Sequence, residues 1–410
     1  MINPYSEYLI MLNFRSMALF CFLNLAMAGL FASPVTGSFD KGYLVFKSED
    51  GNYTWKLDGR IMMDAGSAST DENKTYANMD FRRARLGIKT SVYKKWSGEF
   101  DLDFSGNESS VKDMWMAYRL NEQIYFKVGN HKPFFSMAEL TTSRWYTFLE
   151  TSMVTDSIAT GRRIGFSFAY EGDHLFIGAT VFGEKLGVDN EDAQASEEFG
   201  HSARVVYRPY INIDAGQFFH IGLDYLHQGA QSEDENGEFE IKSGVETSVI
   251  GLNFLNTGSI ENTDQVNTMG LEMAGKMSSV SIQAEYYTTK LEADNDYDFS
   301  GYYIDLSYML TGESRPYNTG DAEFGAVMPS SENGDLELAL RLSTLDLNDG
   351  VIQGGKSDAI TIALNWYVNT NVVIRSNYIV ADFDDMADDD GDLVGGDEVT
   401  VMSVRFQYYF

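Results

Sequence analysis

Alternation of apolar and polar side chains restricts the possible fold of this chain more than any other feature. In the C-terminal segment one face carries Met402, Val404, Phe406, Tyr408 and Phe410, and the other carries Ser403, Arg405, Gln407 and Tyr409. A period of two residues predicts a β-strand, because successive side chains of a strand point to opposite faces. The same period recurs over 163–170, 302–308, 336–343 and 360–366. The sequence therefore predicts an all-β protein.

The length of these segments favours a membrane-spanning barrel over a soluble β-sandwich. The strands of a β-sandwich are shorter, and turns that contain Pro and Gly recur about every 8–12 residues. Segments of about ten residues match the reach of a tilted strand across a bilayer. A sheet that spans lipid must close into a barrel, because every backbone polar group has to be paired there. The apolar face then contacts lipid and the polar face lines an aqueous lumen.

Connection lengths give each predicted strand a direction. Tight links are expected to be periplasmic turns, and long acidic stretches are expected to be outer loops. The tight links are 93–97, 121–122, 172–173, 278–279 and 369–370. A first count gives about seventeen strands, which is incompatible with two periplasmic termini. The weakest segment, 248–256, is therefore assigned to a long loop over 229–265. The result is a 16-stranded antiparallel transmembrane β-barrel.

The N-terminus has the layout of a secretory signal peptide. Arg15 precedes an apolar run over 17–25, and small residues follow this run. We predict that residues 1–32 are a signal peptide, cleaved after Ala28 or Ala32. A membrane-anchoring helix is the alternative, although the apolar run is shorter than a spanning helix requires.

This cleavage defines the remaining organisation of the chain. Residues 33–54 are expected to form an N-terminal periplasmic segment, and residues 55–410 are expected to form the barrel. The chain has 6 Pro and no Pro-rich or Ser-rich linker, which favours one large unit. Its single cysteine, Cys21, lies within the predicted signal peptide, so no disulfide is expected in the mature chain. An exported chain without cysteine is typical of a bacterial envelope.

Eight sequence blocks occur in a characteristic order over roughly residues 55–410. They are LDGRIMMD (57–64), FRRARLGIK (81–89), KDMWMAYRL (112–120), VGNHKPF (128–134), TGRRIGFSF (160–168), SYMLTGESRPY (307–317), ELALRLSTLDLNDG (337–350) and NWYVNTNV (365–372). Together these blocks resemble the phosphate-selective porins O and P of bacterial outer membranes. The resemblance implies a sixteen-stranded trimeric porin. It also implies a lumen narrowed by an inward-folded loop at about 130–161.

Cationic side chains are frequent on the polar face of the predicted strands. Cations in a narrow pore offset the cost of dehydrating an anion, and a guanidinium can donate two hydrogen bonds to an oxyanion. The predicted pore-lining and anion-binding residues are Arg60, Arg83, Arg85, Lys127, Lys132, Arg144, Arg163, Arg204, Arg208, Arg341 and Arg375. The resemblance assigns Lys132 and Arg144 to the inward loop. Arg82 has the parity of lipid-facing residues and is expected at the membrane edge. The alternative is that the lumenal arginines only pair with lumenal acids.

The sequence predicts an outer-membrane porin through which small anions, including phosphate or polyphosphate, diffuse passively. The alternative is a general or cation-preferring porin, because Lys132 and Arg144 are the only cations within 130–161. A barrel-embedded hydrolase or an adhesin is a weaker alternative. The 5 His lie outside any recognisable catalytic motif, so no catalytic residue is predicted.

The expected partners follow from this prediction. They are small inorganic anions, outer-membrane lipid and lipopolysaccharide, and further copies of the chain in a homotrimer. The formal net charge of −31 argues against nucleic-acid binding. No cofactor and no metal site are predicted.

Overall fold

Sixteen antiparallel strands close into a barrel within the described part of the chain. The structure is a computed structural model that describes residues 34–71, 75–106, 109–186, 199–212, 215–229, 237–311, 315–387 and 396–410. A hairpin of β1 (Val35–Asp40) and β2 (Tyr43–Ser48) precedes the barrel. The barrel strands are β3 (Tyr53–Thr70), β4 (Thr75–Val92), β5 (Trp96–Asp103), β6 (Ser110–Arg119), β7 (Ile124–His131), β8 (Arg163–Glu171), β9 (Leu175–Phe182), β10 (Gly200–Asn212), β11 (Gln217–Gly229), β16 (Gln265–Met277), β17 (Val280–Glu292), β18 (Asp296–Met309), β21 (Asp335–Asp349), β22 (Ile352–Tyr367), β23 (Val372–Phe383) and β24 (Glu398–Tyr409). Each barrel strand pairs with the next, and β24 pairs with β3. The predicted 16-stranded barrel is confirmed.

Short elements occupy the connections. They are strands β12 (Glu238–Phe239), β13 (Lys242–Ser243), β14 (Leu255–Asn256), β15 (Ile260–Glu261), β19 (Tyr317–Asn318) and β20 (Glu323–Phe324), and helices α1 (Met137–Leu140) and α2 (Met153–Ile158). β12 pairs with β15, β13 with β14, and β19 with β20. Among the described residues, no helix is long and apolar enough to cross a membrane.

The two faces of the barrel strands differ as the alternation predicts. In β21, Leu338 and Leu340 are exposed on the outer surface, whereas Glu337 and Arg341 are buried inside. In β24, Phe406 is exposed. The apolar face therefore points outward, as contact with lipid requires, and the polar face points into the barrel.

Backbone pairing at Gly59 and Phe410 contributes to the seam between β3 and β24. The Gly59 amide donates to the Phe410 carbonyl at 2.9 Å, and the Phe410 amide donates to the Gly59 carbonyl at 3.1 Å. A Cβ atom on Gly59 would lie 2.3 Å from the Phe410 ring. Glycine is therefore needed here for the aromatic ring to pack across the seam.

A β-bulge in β4 corrects the predicted orientation of Arg82. Met62 pairs with Arg83 and Met63 pairs with Phe81, so Arg82 is the extra residue of β4. A bulge shifts the register and redirects the side chain of the unpaired residue. Arg82 therefore reaches into the interior, and the prediction that it lies at the membrane edge is wrong.

Turn lengths divide the barrel into a short-turn end and a long-loop end. The five tight links identified from the sequence join neighbouring strands at the short-turn end. The long loop predicted over 229–265 connects β11 to β16 at the long-loop end. The division is not strict: residues 293–295 and 350–351 form short turns at the long-loop end, and residues 310–334, which join β18 to β21, form a long segment at the short-turn end. Nothing in the sequence analysis anticipated this segment.

Candidate functional site

Three connecting segments fold into the barrel. The first inward segment (132–162) joins β7 to β8, the second (237–264) precedes β16, and the third (315–334) precedes β21. Ion pairs and hydrogen bonds with strand residues hold all three inside. The first two enter from the long-loop end and the third enters from the short-turn end. Together they fill much of the lumen.

The inward segments cover one side of the interior more than the other. Arg204, Arg208, Arg375 and Arg405, on β10, β23 and β24, are fully buried beneath them. On β4 and β7, by contrast, the lumenal side chains of Arg85, Lys89 and Lys127 remain partly accessible to water. The candidate ion path therefore follows the wall formed by β3 to β7, which we call the open wall.

All eleven predicted cationic residues point into the barrel, but their exposure differs. Those that remain partly accessible are Arg85, Lys127, Lys132 and Arg163. Those that are buried are Arg60, Arg83, Arg144, Arg204, Arg208, Arg341 and Arg375. Their role in anion binding stays a prediction. The structure shows that most of them are covered by the inward segments.

Several of these cations pair with acids or with backbone carbonyls. Arg60 contacts Asp101 at 3.3 Å, and Arg85 contacts Asp103 at 2.7 Å. Arg144 binds Asp58. Arg208 donates to the Asp173 and Gly172 carbonyls and so stabilises the turn between β8 and β9. Lys132 pairs with Glu139 inside the first inward segment at 3.1 Å. Burial and pairing together reduce the charge that these residues present to a passing ion.

Glu150 of the first inward segment binds three arginines of the barrel wall. Its carboxylate lies 2.9 Å from Arg82 Nε, 3.0 Å from Arg83 Nη2 and 2.6 Å from Arg405 Nη2. Arg405 also binds Asp64 through two hydrogen bonds of 2.6 Å. Burial alone would raise the pKa of Glu150, but the three guanidiniums outweigh it and hold the pKa well below its usual value. Glu150 is therefore ionised and anchors the segment to β4 and β24.

Glu246 anchors the second inward segment in a similar way. Its carboxylate accepts hydrogen bonds from Arg341 at 3.3 Å, from Ser343 at 2.6 Å and from Thr361 at 3.1 Å. Arg341 also makes a two-pronged pair with Asp305, at 2.7 and 2.9 Å. The predicted pore residue Arg341 thus holds a segment in place.

Glu285 on β17 binds the start of α1 in the first inward segment. It accepts hydrogen bonds from the amides of Met137 at 2.6 Å and Ala138 at 3.2 Å, and from the Ser136 hydroxyl at 3.2 Å. Tyr303 donates to the same carboxylate at 2.7 Å. The free amides at a helix start need acceptors, and here the barrel wall supplies one. This contact fixes how far the segment reaches into the lumen.

Arg204 connects the third inward segment to the wall. Its guanidinium forms a bidentate pair with Glu272 at 2.8 and 2.9 Å, and it donates to the Asp321 and Ala322 carbonyls at 3.0 and 2.8 Å. His220 Nε2 lies 2.9 Å from the same Glu272 carboxylate. Sequence reasoning named Arg204 but missed the segment that it binds. This segment lacks the apolar–polar alternation of the strands on either side of it, and that difference could have revealed it.

Glu323 makes the docking of the third inward segment sensitive to pH. Burial and, after it, the carboxylate of Asp321 raise the pKa of Glu323 to about 8, from an ordinary value of 4.5. The docked segment therefore holds an extra proton between these pH values, and its docking weakens as the pH rises through this window. We expect channel conductance to increase between about pH 5 and pH 8 and to level off above that range, and we expect Glu323→Gln to remove this increase. Exposed Glu332 of the same segment provides the control, since Glu332→Gln is expected to leave the pH dependence unchanged. A Glu323→Gln channel with wild-type pH dependence would contradict this assignment.

Related sequences match this chain over the whole of the barrel. A family model described as phosphate-selective porin O and P matches residues 55–410. Porin O of Pseudomonas aeruginosa is 27% identical over 423 aligned residues, which cover 90% of this chain and 91% of the relative. Both matches span the barrel and the inward segments. Sequence similarity is therefore not confined to one block.

Solved porin structures share the fold. An anion-selective porin from Comamonas acidovorans superposes with a TM-score of 0.56 at 13% identity, covering 87% of this chain and 100% of that chain. The trimer form of OmpT from Vibrio cholerae gives a TM-score of 0.52 at 12% identity, covering 87% and 99%. At these identities the likeness concerns the fold alone. The family match over residues 55–410 confirms the resemblance seen in the sequence, and the chain belongs to the phosphate-selective porin O and P family of bacterial outer-membrane porins.

Proposed function

We propose that this porin passes small anions by passive diffusion along the open wall, with phosphate or polyphosphate among its substrates. The name of the related Porin O family and the anion selectivity of the Comamonas acidovorans porin support this proposal. Because the family consists of channels, an enzymatic activity is not part of it. The proposal depends on the charge that the open wall presents to water.

One observation carries the proposal: Lys127 lies on the open wall and forms no direct ion pair with an acid among the described residues. Its ammonium lies 4.6 Å from the centre of the Trp115 ring and 5.8 Å from that of Tyr125. Among the described residues, no carboxylate oxygen lies within 4.0 Å of it. Aromatic rings attract the ammonium without neutralising its charge. An anion that passes this point meets an ammonium group that no carboxylate pairs with directly.

Lys56 provides a second such position closer to the short-turn end. Its ammonium lies 3.3 Å from the centre of the Tyr43 ring, on the lumenal side of β3. The two lysines therefore extend positive charge along the path, whereas the paired arginines on the covered side contribute less. The formal charge of −31 matters little for the pore, because charges more than about 8 Å away are largely screened at physiological salt.

A reversal potential in a planar bilayer under a KCl gradient tests the proposal. We expect the wild-type channel to prefer chloride, and we expect Lys127→Glu, which changes the charge by two units, to lower the chloride-to-potassium permeability ratio by at least about fivefold. The fivefold estimate follows because one unit charge about 4 Å from an ion changes its energy by about 1 kcal/mol in water, which corresponds to about a fivefold change in permeability. Lys290→Glu is the matched control, because Lys290 is exposed on the outer surface of β17. Cation preference of the wild-type channel would overturn the proposal.

A cation-preferring porin is the second candidate. Glu99, Asp101 and Asp113 on the open wall have carboxylate oxygens within 4.8 Å of one another. Arg60 and Arg162 contact two of these acids, which lowers the local negative charge. If the bilayer experiment shows potassium preference, this cluster is the first place to substitute. Phosphate block of the chloride current separates a specific phosphate path from general anion diffusion.

Targeting and assembly complete the proposal. Export depends on the signal peptide at residues 1–32, cleaved after Ala28 or Ala32, which lies outside the described part of the chain. We propose a homotrimer, and the trimer form of OmpT from Vibrio cholerae supports this because it has the same fold. Contact with outer-membrane lipid and lipopolysaccharide is expected at the apolar outer face. The mass of the detergent-solubilised complex distinguishes a trimer from a monomer.

A further inference from the structure

Two histidines face each other on the outer surface of the barrel. His201 on β10 is the direct cross-strand partner of His227 on β11. Their imidazole rings are stacked, with centroids 4.6 Å apart. The adjacent residues Ser202 and Leu226 are buried on the inner side, so the two histidines point away from the lumen. Ion passage through the barrel makes no use of them.

The histidine pair lies at the edge of the apolar outer band, toward the long-loop end. His201 is the second residue of β10, and His227 lies two residues before the end of β11. Further along the same strands, Val205 and Leu223 form an exposed apolar pair. His201 itself is exposed, whereas His227 is largely covered. The pair is therefore reachable from water at the boundary of the lipid.

Hydrogen bonds occupy one nitrogen of each ring and leave the other nitrogen available. His227 Nδ1 lies 2.9 Å from Asn267 Oδ1, which also accepts a hydrogen bond from the Tyr225 hydroxyl at 2.8 Å. Because an amide oxygen only accepts, Nδ1 carries the proton and Nε2 keeps its lone pair. The His201 ring is hydrogen-bonded to the backbone of Phe199. Metal-binding histidines typically have their second nitrogen occupied in this way.

We propose that His201 and His227 form a binding site for a divalent first-row transition cation such as Zn²⁺ or Cu²⁺. Imidazole nitrogen suits these ions, and directly opposed residues of antiparallel strands have Cβ atoms about 5 Å apart. One ion between the two rings would be bound by the free nitrogen of each ring at about 2.0–2.1 Å. Water or oxyanions fill the remaining positions. No sequence motif marks this site, because the two histidines meet only through strand pairing.

Copper titration of the full mature chain in detergent, without an oligohistidine tag, tests the site. We expect one tightly bound Cu²⁺ per chain, with an electron paramagnetic resonance spectrum that shows coupling to two imidazole nitrogens. We expect His201→Gln and His227→Gln each to weaken binding about tenfold or more, by analogy with the loss caused by altering metal-site partners. His174→Gln is the control, because His174 lies at the short-turn end and hydrogen-bonds the Arg208 carbonyl.

A substitution of Asn267 distinguishes a metal site from a simple stack of two imidazole rings. Asn267→Ala removes the acceptor that orients His227, so we expect Cu²⁺ affinity to fall about tenfold while both imidazoles remain. A spectrum of the wild-type protein with one nitrogen or none would overturn the proposal, and this measurement needs no variant to fold. Equal affinity of wild type and the His201→Gln/His227→Gln double variant would overturn it as well.

Discussion

Glu150→Gln will make the channel more selective for anions. The substitution removes the carboxylate shared by Arg82, Arg83 and Arg405, and leaves Asp64 as the remaining acid bound to this arginine cluster. The Arg82 side chain is 37% exposed, so part of the released charge faces water. A net gain of one positive charge close to the ion path raises the chloride-to-potassium permeability ratio about fivefold, on the scale of 1 kcal/mol at about 4 Å. The reversal potential under a KCl gradient measures this change.

The same substitution tests how firmly the first inward segment is held. Removing one partner from a buried ion pair costs about 3–5 kcal/mol, and the amide oxygen of Gln recovers part of it. Glu171→Gln is the matched control, because Glu171 pairs with the partly exposed Arg119 and such pairs contribute about 1 kcal/mol or less. An unchanged reversal potential in a folded Glu150→Gln barrel would show that the arginine cluster lies away from the ion path.

Glu285→Ala will release the start of α1 from the barrel wall. The carboxylate accepts hydrogen bonds from Met137, Ala138, Ser136 and Tyr303, and each buried donor left without a partner costs about 1–3 kcal/mol. The first inward segment then moves more freely in the lumen. Single-channel recordings are expected to show larger fluctuations of the open current. Amide hydrogen exchange at residues 136–140 is expected to become at least tenfold faster, since about 1.4 kcal/mol of lost protection gives that factor.

Two milder substitutions calibrate this result. Glu285→Gln keeps one acceptor oxygen, so its effect is expected to be smaller than that of Ala. Tyr303→Phe removes a single donor and leaves the three bonds from the segment intact. If exchange in Glu285→Ala matched the wild type, the position of the first inward segment would have to depend on other contacts, such as those of Glu150.

The sequence predicted the barrel and the direction of its side chains because both follow from one local rule. Alternation with a period of two is a property of the strand itself, so Leu338 and Arg341 could be assigned to opposite faces without knowledge of their neighbours. The alternation did not predict the orientation of Arg82, because a bulge adds one residue to β4 and no sequence signal marked the position of the bulge. Within the strands, local reasoning thus failed at Arg82, where the bulge changed the local geometry.

The candidate site was less predictable, because exposure inside a barrel depends on contacts between distant parts of the chain. Lys127 and Arg375 are both cationic and lumenal, yet Lys127 faces water and Arg375 is buried against the Arg144 carbonyl. The contact between Arg204 and Ala322 joins positions 118 residues apart. Neither the burial of Arg375 nor the course of the third inward segment could be read from the residues alone.

The pairing of β24 with β3 has a consequence for biogenesis. It joins Arg405 to Asp64, which are 341 positions apart, so this closure has a high entropic cost compared with the hairpins between neighbouring strands. Until it forms, both strands present unpaired backbone groups that can pair with other chains. The newly exported polypeptide is therefore most vulnerable to aggregation just before its final step. Chaperones that mask these two open edges would protect it during that interval.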